Sequence, residues 1–154
     1  MGQQDPLPSE AVDVEASVRE LLHDWIRAFE ARDIPTVRSL LAEDDRFVWF
    51  EDGEARYQSA DAVIAALSSF PSGLAFDYRL NDVRIVQLTD DLAWASMMTK
   101  TEVRQDGSVV SVFQGAVTML VEHDGARWRI VSAHSSSVRP APQRRDGTNT
   151  GNSG

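Results

Sequence analysis

The residues best suited to chemistry gather near the end of this chain, in the stretch Trp128-Arg129-Ile130-Val131-Ser132-Ala133-His134-Ser135-Ser136-Ser137-Val138. Taken as a strand with alternating side chains, it puts Trp128, Ile130, Ser132, His134 and Ser136 on one face. Arg129, Val131, Ala133, Ser135 and Ser137 fall on the other. A face that opens apolar and ends in hydroxyls and an imidazole suits a pocket wall; it equally suits a strand running out of the core into water. An imidazole titrates near neutral pH, so His134 is the candidate acid, base or carboxylate binder. The alternative for it is a hydrogen-bonded residue at a cavity mouth or in a subunit contact.

Five aromatic residues, Trp25, Phe29, Trp49, Tyr57 and Trp94, could line a cavity for a flat apolar ligand. For Trp25 and Phe29, at helical spacing, core packing is the competing explanation. Tyr57 precedes a helix and carries a phenol able to orient a ligand.

Other chemistries find no residues to carry them. The 154 residues contain no cysteine, so disulfides, thiolate metal sites and cysteine nucleophiles are excluded. His23, His123 and His134 lack ligand spacing such as His-x-x-x-His, so no metal site is expected. No phosphate-binding glycine loop, Gly-x-Ser-x-Gly elbow or dinucleotide fingerprint occurs, and no cofactor is expected. A net charge of −9, with Lys100 the single lysine, argues against nucleic-acid and anionic-membrane partners. No apolar run is long enough to span a bilayer and residues 1–10 do not resemble a signal peptide, so a cytoplasmic protein is expected.

These residues must be positioned by a short series of elements. Residues 1–12 are expected to be a flexible lead-in and 139–154 a disordered tail, leaving one domain over 13–138. Val14, Val18, Leu21, Leu22, Trp25, Ile26 and Phe29 follow helical spacing. Asp33 caps a second helix with Pro35 in its first turn and Ile34, Val37, Leu40 and Leu41 as its stripe. Residues 46–51 form a short strand closed by Asp52-Gly53, and Ser59 caps a helix from Ala60 to about Phe70. The period then changes to two, which predicts strands over 75–88, 91–104, 109–123 and 126–138, separated by Asp90-Asp91, Asp106-Gly107 and Asp124-Gly125. Along 91–104 one face carries Leu92, Trp94, Ser96, Met98, Lys100 and Glu102, the other Ala93, Ala95, Met97, Thr99 and Thr101. Both are semi-apolar, as expected where one faces a core and the other a partner subunit. Helices first and strands last give an α+β domain.

Three segments, WIRAFEARDIPTVRSLLAEDDRFVWF (25–50), YQSADAVIAAL (57–67) and TMLVEHDGARWRIVSAHSS (118–136), together resemble the nuclear transport factor 2-like superfamily of cone-shaped α+β barrels. The likeness is greatest to SnoaL-like small proteins and to the association domain of calcium/calmodulin-dependent kinase, whose ending is similar at Asp124, Gly125, Trp128, Ile130, Val131, His134 and Ser136. The resemblance implies three N-terminal helices packed in the concave face of a curved, mostly antiparallel sheet, and a homodimer packed through that sheet. It does not carry over ketosteroid isomerase machinery: Trp25 stands at the tyrosine position, Trp49 or Phe50 near the base, and Thr118 near the later acid. Polyketide cyclases of this kind place an acidic group where His134 stands, which weakens that reading without removing it. Asp77, Arg79, Asp82 and Arg84 do not assemble the Asp-Arg-Asp trio of the related epoxide hydrolases.

A fold shared by so many activities decides no function. The leading expectation is a protein that binds a small apolar or carbonyl- or carboxylate-bearing ligand, with Trp25, Phe29, Trp49, Tyr57, Trp94, Thr118, Ser132, His134 and Ser136 around it. The second is a cofactor-free cyclase, isomerase or hydratase using His134 as acid/base, and the third a homo-oligomerisation module without catalysis.

Overall fold

The computed structural model describes residues 13–138, so the expected lead-in and tail lie outside the described residues. The first helix, α1 (Val14–Ala31), starts where the Asp13 carboxylate accepts the Ala16 N–H, and it buries Val14, Val18, Leu21, Leu22 and Ala28. It ends at Arg32, in the left-handed region at φ 54°. The guanidinium of Arg32 then donates to the carbonyls of Phe70 and Pro71, at 2.9 and 2.8 Å, and to that of Leu74. One charged group thereby ties the end of α1 to the later chain break at 70–74. The second helix, α2 (Ile34–Ser39), is capped by Asp33 as the sequence predicts, and Ser59 caps α3 (Ala60–Ser69).

Six strands follow the order β2-β1-β6-β5-β4-β3 in one sheet. They are β1 (Val48–Glu51), β2 (Glu54–Tyr57), β3 (Leu74–Gln87), β4 (Leu92–Gln105), β5 (Ser108–His123) and β6 (Trp128–Val138). The four long strands agree with their predicted spans to within two residues. The strand β2 is not foreseen, because Glu-Ala-Arg-Tyr has no apolar alternation. It exists as the second arm of a hairpin about Asp52-Gly53, both at positive φ (48° and 89°), as a tight two-residue turn requires.

All pairings are antiparallel except β1 with β6. That parallel pairing follows from the chain before β1, which lies against β6 through Ile130 N–H to Leu40 O (2.8 Å) and Ala42 N–H to Ile130 O (2.9 Å). Irregularities in register at Asn81/Arg84, Val103/Arg104 and Leu120/Val121 bend the three long pairings. Helices α1 and α3 contribute to one buried cluster with Phe47, Ala93, Ala95, Met97, Met119, Val121 and Ile130. The face of β4 left open by the sequence is thereby assigned. Ala93, Ala95 and Met97 turn inward, while Trp94 and Met98 turn outward, away from the helices.

One register expectation is corrected. Along β6 the pairing steps from Val121↔Ile130 to Leu120↔Ser132, so Val131 is an extra residue opposite a single bond of the partner ladder. An extra residue reverses every face beyond it. Trp128 and Ile130 are buried, and beyond the bulge it is Ala133, Ser135 and Ser137 that continue inward. Ser132 and His134 are carried to the outer face. No helix among the described residues is long and apolar enough to cross a membrane.

Candidate functional site

Between the helices and the concave face of the sheet lies a cavity of about 550 Å³. Its helical side is Trp25 and Phe29 of α1, Leu67 of α3 and Phe70 just after that helix. Its sheet side is Phe76, Tyr78 and Leu80 of β3, Met97, Thr99 and Thr101 of β4, and Val117 and Met119 of β5. The hairpin β1–β2 closes one end. Because Trp49 pairs with Ala133 and with Tyr57, it turns inward together with Tyr57, and by alternation so does Glu51.

The aromatic groups touch one another rather than standing apart. Trp25 and Trp49 stack at 5.5 Å with planes 30° apart, and Phe29 meets Tyr78 edge-on at 5.4 Å. The Trp49 indole N–H donates to the Ser135 hydroxyl at 3.0 Å, which fixes the ring against β6. Such partial burial of Trp25, Phe29 and Trp49 decides between packing and lining: the three do both, joining the edge of the core while exposing ring surface to the cavity.

Polarity is concentrated at the hairpin end. Glu51, Asp52, Glu54 and Arg56 are the charged residues of the lining, and the last three are exposed, marking the mouth. Arg56 approaches Glu51, Nε to Oε2, at 3.6 Å. Asp52 accepts the Ser137 N–H at 2.7 Å and the Ser137 hydroxyl at 3.0 Å, pinning the hairpin tip to the end of β6. Deeper in, the Tyr78 phenol has its pKa pushed well above the ordinary tyrosine value. Burial is the main cause, and the nearby Glu51, Tyr57 and Glu30 add to it. Tyr78 is therefore a neutral phenol, able to donate a hydrogen bond. Among the described residues no group of three or more His, Asp or Glu side chains could hold a metal ion, and no buried side-chain polar atom is left without a partner.

The sequence-derived candidates divide into two sets. Trp25, Phe29, Trp49, Tyr57 and Ser136 border the cavity. Trp94, Thr118, Ser132 and His134 do not; they lie together on the opposite face of the sheet, where Thr118 pairs with His134 and Ser132 with Leu120. His134 is exposed there, its ring edge-on to Phe50 at 6.2 Å. Glu51 and Tyr78, absent from the candidates, are titratable groups that face the interior. Both could have been found from alternation: Glu51 shares a face with Trp49, and Tyr78 with Phe76 and Leu80.

Gly115 shapes the cavity by lacking a side chain. A methyl group built on it would stand 2.1 Å from the Ser136 carbonyl oxygen and 3.3 Å from Thr99 Oγ1. Backbone in a paired strand yields little, so Gly115→Ala is expected to cost about 1–3 kcal/mol. Chemical denaturation checks this, with displacement of the Ser136 amide resonance reporting where the strain falls.

The model of the SnoaL-like domain family matches residues 18–140. No curated protein matches the chain. Among solved structures the fold is similar to a candidate dehydratase of the NTF2-like family from Streptomyces avermitilis, with TM-score 0.70 and 18% identity over 86% of this chain and 100% of that one. It is similar also to a ketosteroid isomerase-like protein from Erwinia carotovora atroseptica, with TM-score 0.66 and 17% identity over 84% and 99%. An NTF-2 like protein of unknown function from Shewanella oneidensis gives 0.65 and 19% over 79% and 98%. At such identities the likeness speaks for the fold.

Proposed function

The chain belongs to the SnoaL-like domain family, and from that premise and the form of its cavity we propose that it binds a small, flat, largely apolar molecule. The observation that carries this is the cavity of about 550 Å³ whose walls are largely aromatic and aliphatic and whose charged groups stand at one end. Such a division orients a ligand, with its body on the Trp25–Trp49 stack and its polar end toward Tyr57, Tyr78 and Glu51. A module serving only for assembly would have no use for an unfilled cavity of this size.

Native mass spectrometry of freshly purified protein, followed by tryptophan fluorescence titration with whatever molecule is recovered, tests the proposal. A recovered molecule should quench or shift the emission of the cavity tryptophans. Binding that leaves this emission unchanged and is lost in His134→Ala would place the site on the outer face and sink the reading.

A second reading is cofactor-free proton transfer, and the names of the dehydratase and isomerase-like neighbours favour it. In this chain the work would fall to Glu51 as proton acceptor and Tyr78 as hydrogen-bond donor, not to His134, which lies outside the cavity.

The partner we propose is a second copy of the chain, apposed through the outer face of the sheet. Trp94, Met98, Ala116, Thr118 and Leu120 form the uncharged centre of that face, and Phe50 and Met98 remain 41% and 47% exposed. An apolar, charge-depleted patch matches itself about a two-fold axis without needing a complementary charge. Light scattering should return twice the chain mass; the mass of one chain at tens of micromolar would count against it.

A further inference from the structure

We propose that the ligand of this cavity carries a positive charge: a flat hydrocarbon or aromatic body bearing an ammonium group, held at the Glu51 end. The inference rests on the cavity-binding reading above and names the chemical class of its ligand.

Three observations lead to it. The charged residues that line the cavity are three carboxylates, Glu51, Asp52 and Glu54, against one guanidinium, Arg56. Arg56 bonds to the Tyr57 side chain, stands 3.6 Å from Glu51 and also acts on Glu54, but it is a single cation with a side chain 55% exposed, so the lining keeps an excess of negative charge. The whole chain has a net charge of −9, which adds to the negative potential at the mouth.

The second observation is what stands beside the carboxylates. Trp49 and Tyr57 pair across the β1–β2 hairpin, on the inward face shared with Glu51. Ring faces next to a carboxylate form a site for a cation, because the quadrupole and the carboxylate attract the same charge. A ligand carboxylate would meet repulsion from both, with Arg56 at the mouth as the one opposing charge.

The third is the state of Tyr78, on the wall facing Glu51 and Tyr57. Its phenol is held protonated by burial and by Glu51, Tyr57 and Glu30, so the cavity disfavours additional negative charge there. The phenol oxygen keeps lone pairs able to accept from an ammonium N–H. This narrows the expectation drawn from sequence: of apolar, carbonyl- and carboxylate-bearing ligands, the carboxylate is the class these walls select against.

Three probes matched in shape separate charge from fit: 2-(2-naphthyl)ethylamine as its ammonium, 2-(2-naphthyl)ethanol, and 2-naphthylacetate. Each is titrated calorimetrically into the full chain at low and at high salt. The ammonium is expected to bind about 10-fold tighter than the alcohol and the carboxylate more weakly than either, with the gap narrowing in salt. Glu51→Gln should weaken the ammonium far more than the alcohol, closing the gap between them. Equal binding of ammonium and alcohol, or a preference for the carboxylate, overturns the inference and leaves the cavity reading standing, since the alcohol still binds. Failure of all three to bind overturns both. The order on the unaltered protein decides the matter even where the Glu51 variant does not fold.

Discussion

Phe47→Ala is expected to lower the unfolding free energy by about 3–5 kcal/mol, a large part of the roughly 5–15 kcal/mol that holds a domain of this size together. Phe47 is 2% exposed and belongs to the cluster formed by α1, α3 and the inner faces of β4, β5 and β6. The segment around it has little freedom to close over a void. Leu41 bridges to Ile130 just before it, and β1 pairs with β6 just after it. Beside it the Arg46 guanidinium binds both Asp44, at 2.8 Å, and Glu122, at 2.8 Å, fastening the same turn to β5. The lost transfer energy and the unfilled space therefore add. Urea unfolding should show a lower midpoint at unchanged slope. Leu88→Ala, at a residue 52% exposed in the β3–β4 turn, should change stability by about 0.5 kcal/mol or less. Comparable losses at the two positions would mean that Phe47 is not the core residue its burial indicates.

The second large effect is on binding. Trp49→Ala should weaken the ligand recovered from the purified protein by about 30-fold, the scale of a hot-spot aromatic worth about 2 kcal/mol. The indole stacks on Trp25 and is held by Ser135, so its removal takes away half of the aromatic platform and frees the other half to move. Stability should fall less than in Phe47→Ala, because the ring is only half-buried. Calorimetry on Trp49→Ala and His134→Ala side by side makes the comparison sharp. The His134 variant should bind as the parent does, since its imidazole is exposed on the far side of the sheet. A loss at His134 with none at Trp49 would reverse the assignment of the site.

The contrast between these two residues shows how far the sequence alone carries. Amphipathic spacing from Val14 to Phe29 dictated α1, the capping side chains Asp33 and Ser59 dictated where α2 and α3 begin, and Asp106-Gly107 and Asp124-Gly125 dictated two of the three turns of the meander. Those are local rules, and they are legible because each depends on residues a few positions apart. The aromatic character of the site was legible on the same grounds, through Trp25, Phe29, Trp49 and Tyr57.

What the tertiary structure alone decided is which residues face one another. Counting by twos along β6 assumes an unbroken ladder, and the bulge at Val131 arises from the pairing with β5, not from any residue type in β6. It therefore moved His134 from the cavity to the outer face and turned Ser135 and Ser137 inward. Likewise alternation puts Glu51 on one face with Trp49, but that this face is the inner one is decided by β1 running parallel beside β6, which brings Glu51 to the cavity whose far wall holds Tyr78. Local sequence determined the elements and their amphipathic faces. Register, which depends on two strands at once, determined the polar groups of the site.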